Sequence, residues 1–352
     1  MFVSFKVDRE KLLQTLESVE PGLASLELTE QANCFAFTRG RVYTYNDEVS
    51  VRAPSPFPED FTGAVPAGKF LELLRKLTAE QISIEPNGKE LYVKAPGGRK
   101  SGLRLEAEVR LPMDEVERPK SWVPLPEAFC EAVNVVAQCA SRNTNNYVAM
   151  CVHVHPEFLE ASDDWQVCRW PLATGVHKPA FVRAASVRPV AQLGATKVGE
   201  TKGWLHFRNP AGVILSCRRF FDEYPDLSPA FKAKGVKVAL PKGLADATDV
   251  AAIFSSEDPD RNHVLVDLRP GRVRVRGEGA SGWYSEPRKV EYDGPPLSFW
   301  CPPQVLIDLV KRHNACTVSP EKLWVDAGAY QWMTCLSRPQ EADDNEEGET
   351  DE

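Results

Sequence analysis

His153 and His155 share one face of the alternating run Val152-His153-Val154-His155, a spacing that a metal ion can use. No acid or cysteine partner is evident for them, so no metal site and no cofactor are expected. The stretch Pro96 to Gly102 holds Gly97-Gly98 and two bases, but it lacks the strand–Gly–Lys–Ser/Thr order of a phosphate-binding loop and reads as a hairpin turn. No Ser/His/Asp, Cys/His or paired-carboxylate arrangement follows from spacing, so no catalytic residue is assigned. A nuclease or nucleotide hydrolase would need an acidic metal cluster, and acids are concentrated only at the carboxyl end. Nine dispersed cysteines without a Cys-x-x-Cys pair read as buried reduced thiols.

Chemistry therefore has to come from surfaces, and the elements that present surfaces repeat. Val65-Pro66-Ala67-Gly68-Lys69-Phe70, Val182-Arg183-Ala184-Ala185-Ser186-Val187 and Trp300-Cys301-Pro302-Pro303-Gln304-Val305 start 117 and 118 residues apart. Each leads into apolar residues at helical spacing: Phe70, Leu73, Leu74 and Leu77; Val187, Val190 and Leu193; Leu306, Leu309 and Val310. A second helix class recurs at Val7 to Leu13, Leu125 to Phe129 and Leu240 to Leu244. Asp8 is expected to cap the first, and Pro126 and Pro241 to occupy first-turn positions of the others. Ser186 is expected as an N-cap that puts Pro189 in a first turn, where its missing N–H costs little. A hairpin follows each later helix: Ile82–Ile84 with Leu91–Val93, Trp204–Phe207 with Val213–Leu215, and Cys316–Val318 with Leu323–Val325. One repeat reads strand, helix, strands, helix, strands. Boundaries fall near 120 and 237, giving domains 1–120, 121–236 and 237–340.

Length and composition agree. The chain has 352 residues and 43% hydrophobic content, which suits two or three soluble domains. No apolar run approaches the roughly 20 residues that span a bilayer. The alternating amino end does not read as a secretory signal, so a cytoplasmic protein without membrane contact is expected. The net charge of −8 is confined to residues 341–352, which hold eight acids and no base. Residues 1–340 are balanced, with room for a basic face. The tail is polar and self-repelling, and is expected to be disordered.

The sequence resembles the bacterial-type DNA sliding clamps, the processivity subunits of replicative polymerases. The resemblance runs from residue 2 to about 337. Its most specific stretches are Phe5-Lys6-Val7-Asp8-Arg9-Glu10-Lys11-Leu12-Leu13, Val65 to Phe70, Phe221-Asp222-Glu223-Tyr224-Pro225-Asp226-Leu227 and Tyr330-Gln331-Trp332-Met333. It implies an α+β chain of three tandem clamp-fold domains, each with two helices and two antiparallel sheets, forming half of a closed ring. It further implies a head-to-tail dimer with helices lining the hole, non-catalytic and sequence-independent in its hold on duplex DNA. Such a hole needs diffuse positive charge that attracts phosphates without fixing a register. Bases on or beside the inner helices are Arg9, Lys11, Lys69, Arg75, Lys76, Arg188, Lys197, Lys311 and Arg312, and the polar loop after Ala140 adds Arg142 and Asn143. The resemblance also implies a hydrophobic cleft for short linear motifs of DNA polymerase and clamp loader, lined by Val148, Trp165, Val167, Pro225, Met333 and Cys335. The family's Thr-Asp-Gly-His-Arg-Leu is here Ser162-Asp163-Asp164-Trp165-Gln166-Val167, and its terminal Met-Pro-Met is here Met333-Thr334-Cys335-Leu336, so the peptide preference should differ. A clamp-like adaptor for transcription, or a mimic of a host clamp, is the alternative that sequence leaves open.

Overall fold

The computed structural model describes residues 4–26, 29–142, 146–163, 165–221, 223–232, 234–257 and 262–337. It is an α+β chain whose element order repeats three times. The first run is β1 (Phe5–Asp8), α1 (Arg9–Val19), β2 (Cys34–Thr38), β3 (Arg41–Tyr45), β4 (Val49–Pro54), β5 (Gly63–Pro66), α2 (Ala67–Lys76), β6 (Gln81–Asn87), β7 (Glu90–Ala95) and β8 (Arg99–Arg104). The second is β9 (Val123–Pro124), α3 (Phe129–Val136), β10 (Cys151–His155), β11 (Phe158–Ser162), β12 (Gln166–Pro171), β13 (Ala180–Arg183), α4 (Ala184–Leu193), β14 (Lys197–Glu200), β15 (Trp204–Arg208) and β16 (Ile214–Arg218). The third is β17 (Val236–Ala239), α5 (Leu244–Ser255), β18 (Val264–Arg269), β19 (Arg272–Gly279), β20 (Gly282–Lys289), β21 (Leu297–Cys301), α6 (Pro303–Arg312), β22 (Ala315–Val318), β23 (Lys322–Asp326) and β24 (Gln331–Cys335). Each hairpin expected after a later helix is present, and each is extended to three strands.

The chain divides into two compact units, Met1–Ala161 with Trp170–Tyr224, and Ser162–Arg169 with Pro225–Glu352. In the first unit an eight-stranded sheet runs β5-β2-β3-β4-β16-β15-β14-β9, because β16 of the second run pairs antiparallel with β4 of the first. A four-stranded sheet, β1-β6-β7-β8, ends in β8. In the second unit the start of β12 pairs with β24, which continues through β23 and β22 to β17. A second four-stranded sheet, β20-β19-β18-β21, ends in β20.

Local chemistry explains most boundaries. Asp8 Oδ1 accepts the Lys11 N–H at 2.8 Å and caps α1. Leu12, Leu13, Leu16 and Val19 form its buried stripe. A ring cluster of Phe5, Phe37, Phe57 and Phe61, with centroids 4.5 to 6.1 Å apart, fills the adjoining core. Gly277 and Gly279 let α5 lie directly on β19. A Cβ on Gly277 would stand 1.8 Å from the Ala251 carbonyl oxygen, and one on Gly279 2.2 Å from that of Phe254.

Three helix starts differ from expectation. Pro126 and Pro241 precede α3 and α5, and their carbonyls accept the Phe129 and Leu244 N–H groups at 3.0 and 3.2 Å. Pro189 is the sixth residue of α4, well past the first turn. The strand β13 runs straight into α4 at Ala184, as β5 runs into α2, so Ser186 is a buried helical residue rather than a cap. The tertiary frame holds this helix despite the hydrogen bond that Pro189 removes. The Gly97-Gly98 stretch is the β7–β8 turn, with φ of 82° and 75°. Seven of the nine cysteines are buried, but Cys335 is exposed and Cys130 lies between, so the expected set of buried thiols is incomplete.

Candidate nucleic-acid and peptide-binding surfaces

The helices carry less positive charge than a basic surface requires. Among their residues eight bases face seven acids. Most of the bases of the first run are committed to neighbours. Lys69 and Lys76 both pair with Glu72, at 3.0 and 2.9 Å, and these two ammonium groups hold the Glu72 carboxyl down to about 2. Arg75 bridges to Glu17 at 3.0 Å and Glu20 at 3.2 Å, tying α2 to α1. Arg9 donates to the Leu74 carbonyl at 3.3 Å and pairs with Glu10. Lys11 is exposed, with no ion pair among the described residues. Arg75 with Lys76, and Lys311 with Arg312, occupy the last turns of α2 and α6, where a base also complements the helix dipole. Arg312 lies 3.9 Å from Asp308 and Lys311 is exposed.

The second run is different. Arg188 donates to the Ala137 carbonyl at 2.7 Å. Its guanidinium is held below the ordinary arginine value by burial and then by the nearby charge of Arg142. Two like charges thus stand close together, with no carboxylate paired to either among the described residues. Asn143 lies outside the described residues. Lys197 is on strand β14 rather than a helix, directly opposite Arg208, and both are exposed.

The residues expected in a cleft divide between the units. Val148 sits half-buried on a single helical turn, Val148–Met150, of the first unit. The others belong to the second. There Val167 stands opposite Met333 across β12 and β24, and the Trp165 carbonyl accepts the Cys335 N–H at 2.7 Å. Trp165, Val167, Met333 and Cys335 therefore share one sheet face. Val167 and Met333 form a buried floor, Trp165 is half-buried with its ring 4.8 Å from that of His263, and Cys335 is exposed. Pro225 is exposed in the segment that folds over this face. Lys322 Nζ holds the segment through the Ala230 and Lys232 carbonyls at 3.1 and 2.7 Å. Arg169 holds it through Ser228 at 3.2 Å and the Phe231 ring at 4.9 Å. Sequence reading missed Trp324, which stands opposite Met333 on the same face. The alternation of Lys322-Leu323-Trp324-Val325-Asp326 carried that signal.

The matching face of the first unit is polar. Across β4 and β16, Ser50 stands opposite Ser216 and Arg52 opposite Ile214, while His206 stands opposite Ser216 from β15. The segment that follows β8 covers this face through Leu111, Met113 and Val116, and it borders a partly open cavity of about 170 Å³ lined by Thr38, Arg39, Tyr43, Ser50, Arg52, Met113, Asp114, Val116, Glu117, Arg118, His206 and Ser216. His206 is buried between Ser216 Oγ at 2.8 Å and Thr201 Oγ1 at 3.0 Å. Burial, followed by the charge of Arg52, pushes its imidazole down to about 3.

His153 and His155 lie 5.8 Å apart, with His153 stacked on Phe181 and packed against Tyr224. Among the described residues no group of three or more His, Cys, Asp or Glu could hold a metal ion, and no helix is long and apolar enough to cross a membrane.

No protein-family model matches the sequence, and no curated protein matches it. Solved structures do match. A sliding clamp of Bartonella birtlesii (DNA polymerase III subunit beta), solved with griselimycin bound, superposes with a TM-score of 0.82 at 13% identity, over 96% of this chain and 99% of that one. The corresponding clamp of Pseudomonas aeruginosa gives 0.81 at 15%, with 96% and 99% covered. The DNA polymerase III beta subunit of Thermotoga maritima gives 0.80 at 15%, again with 96% and 99% covered. Over nearly its whole length the chain has the fold of the DNA polymerase III beta sliding clamps.

Proposed function

We propose that this chain is a DNA sliding clamp, three tandem domains that close head to tail with a second copy around duplex DNA and tether a DNA polymerase. The observation that carries the reading is a pair of unfinished sheets. β16 pairs with β4, and β24 pairs with β12, at the same place in successive repeats. The next pairing in that series joins β8 to β20, and these are the outer strands of the two four-stranded sheets. The joined order, β21-β18-β19-β20-β8-β7-β6-β1, reproduces the eight-stranded order of the first unit strand for strand. Trp283, 63% exposed on β20, would be covered by that pairing. A free edge invites another strand, and a second copy supplies one with two-fold closure.

In this reading Lys11, Arg142, Lys197 and Lys311 are the cations most available to phosphates, and Arg9, Lys69, Arg75, Lys76, Arg188 and Arg312 contribute only by giving up protein partners. A sparse set suits sliding, since few phosphates are held at once. Trp165, Val167, Met333 and Trp324 form the face for apolar anchors of polymerase and loader peptides, with Pro225 and Cys335 at its margin. Residues 341–352 modulate entry of basic peptide flanks.

Light scattering tests the assembly. A dimer mass at micromolar concentration is expected, and monomer throughout that range would remove the self-closing ring.

A further inference from the structure

The cavity in the first unit has no role in the clamp reading, and its chemistry is specific. Three arginines line it, each from a different element: Arg39 in the β2–β3 turn, Arg52 in the middle of β4, and Arg118 in the covering segment. None of the three is ion-paired to a carboxylate among the described residues. Arg52 is half-buried, and its guanidinium is held below the ordinary value by burial first, with the charges of Arg118 and Arg41 adding to the depression. A half-buried guanidinium with like charges beside it and no counter-ion is disfavoured, and an anion bound next to it offsets that repulsion.

Two acids also touch the cavity, and one is already occupied. Glu117 accepts the Lys202 N–H at 2.9 Å and the Gly203 N–H at 3.5 Å. Tyr43 and Ser50 stand on the same sheet face as Arg52, and the Tyr43 side chain is hydrogen-bonded to it. The Ser216 hydroxyl is fixed by His206, whose other nitrogen faces the Thr201 hydroxyl.

We propose that this cavity binds one tetrahedral phosphate group. Three arginines on separate elements of one cavity can together serve an oxyanion with more than two acceptor oxygens, whereas one or two forks saturate a planar carboxylate. The volume of about 170 Å³ exceeds that of the ion alone, and Met113 and Val116 offer an apolar wall for an attached ester group. The phosphate can therefore come as the free ion or as a small phosphomonoester.

Calorimetric titration of the full chain with inorganic phosphate and with adenosine 5′-monophosphate, at constant ionic strength, tests this. One saturable site is expected, with Arg52→Gln weakening it at least tenfold and Arg118→Gln severalfold. Arg269→Gln, at an arginine of the second unit paired with Asp267, should leave it unchanged. Tighter binding of the nucleotide assigns a phosphomonoester, and equal or tighter binding of phosphate assigns the free ion. Phosphate should also raise the thermal midpoint of the wild type more than that of Arg118→Gln, an exposed site whose loss should spare the fold. Absence of a saturable site, equal affinity in both arginine variants, or tighter binding of succinate than of either phosphate ligand would overturn the proposal.

Discussion

At the pairing of β4 with β16, Ser50 stands opposite Ser216 with His206 beside it, and 117 residues later, at the pairing of β12 with β24, Val167 stands opposite Met333 with Trp324 beside it. The two faces share register and a covering segment, and their side chains have opposite chemistry. Arg52 and Arg169 occupy equivalent positions, yet Arg52 faces a cavity while Arg169 clamps the segment above it. A ladder is fixed by its main-chain hydrogen bonds and by the residues that face the helices. The other face is free to diverge. One repeat uses that freedom for a charged cavity and the next for an apolar floor.

The contrast is broken most strongly by acid. His206 has no titrating equivalent on the second face, where Trp324 takes its place. The unfolded chain binds a proton at His206 below about pH 6.5, whereas the folded chain resists protonation until about pH 3. Stability from this group is complete above pH 6.5 and is lost as pH falls toward 3, on the order of 4–5 kcal/mol in all. Denaturant titrations from pH 7 to 4 should show most of that loss, about 3 kcal/mol, in the wild type and a much smaller one in His206→Gln. Parallel curves would mean that the imidazole is not buried as described.

The second face should fail through volume instead. Met333→Ala is expected to cost about 2–4 kcal/mol, because it opens a cavity beneath Trp165 and Trp324. Trp165→Ala, at a half-buried position, should cost less stability but weaken an apolar clamp-binding peptide at least tenfold. Unchanged peptide affinity would mean that this face is only core.

How much of this was legible in the sequence depends on the residue. The repeat was readable because Phe70, Val187 and Leu306 recur at helical spacing ahead of hairpins. Asp8 announced its cap through a side chain that can only accept. Pro189 misled, because the direct entry of β13 into α4 is a tertiary constraint that no local signal carries. The polar cavity was invisible for the same reason: Arg39, Arg52 and Arg118 come from a turn, a strand and a covering segment. Conversely, Arg75 looked available in sequence, and only the fold brings Glu17 and Glu20 against it, whereas the pairing of Lys69 and Lys76 with Glu72 was open to view in their helical spacing.

Smaller effects are expected of the surface charges. Removing Arg142 and Lys197 together should weaken binding equally on unrelated DNA sequences and flatten the salt slope by about two per chain. Deleting residues 339–352 should shift the affinity of a basic peptide at low salt, with the shift shrinking as salt rises.

The ring itself is tested most directly by topology. Loaded onto a closed circular duplex at moderate salt, the chain should be retained through gel filtration and lost when a restriction enzyme linearises the circle, because encirclement holds it and no strong contact does. Equal retention on circular and linear DNA would contradict the account.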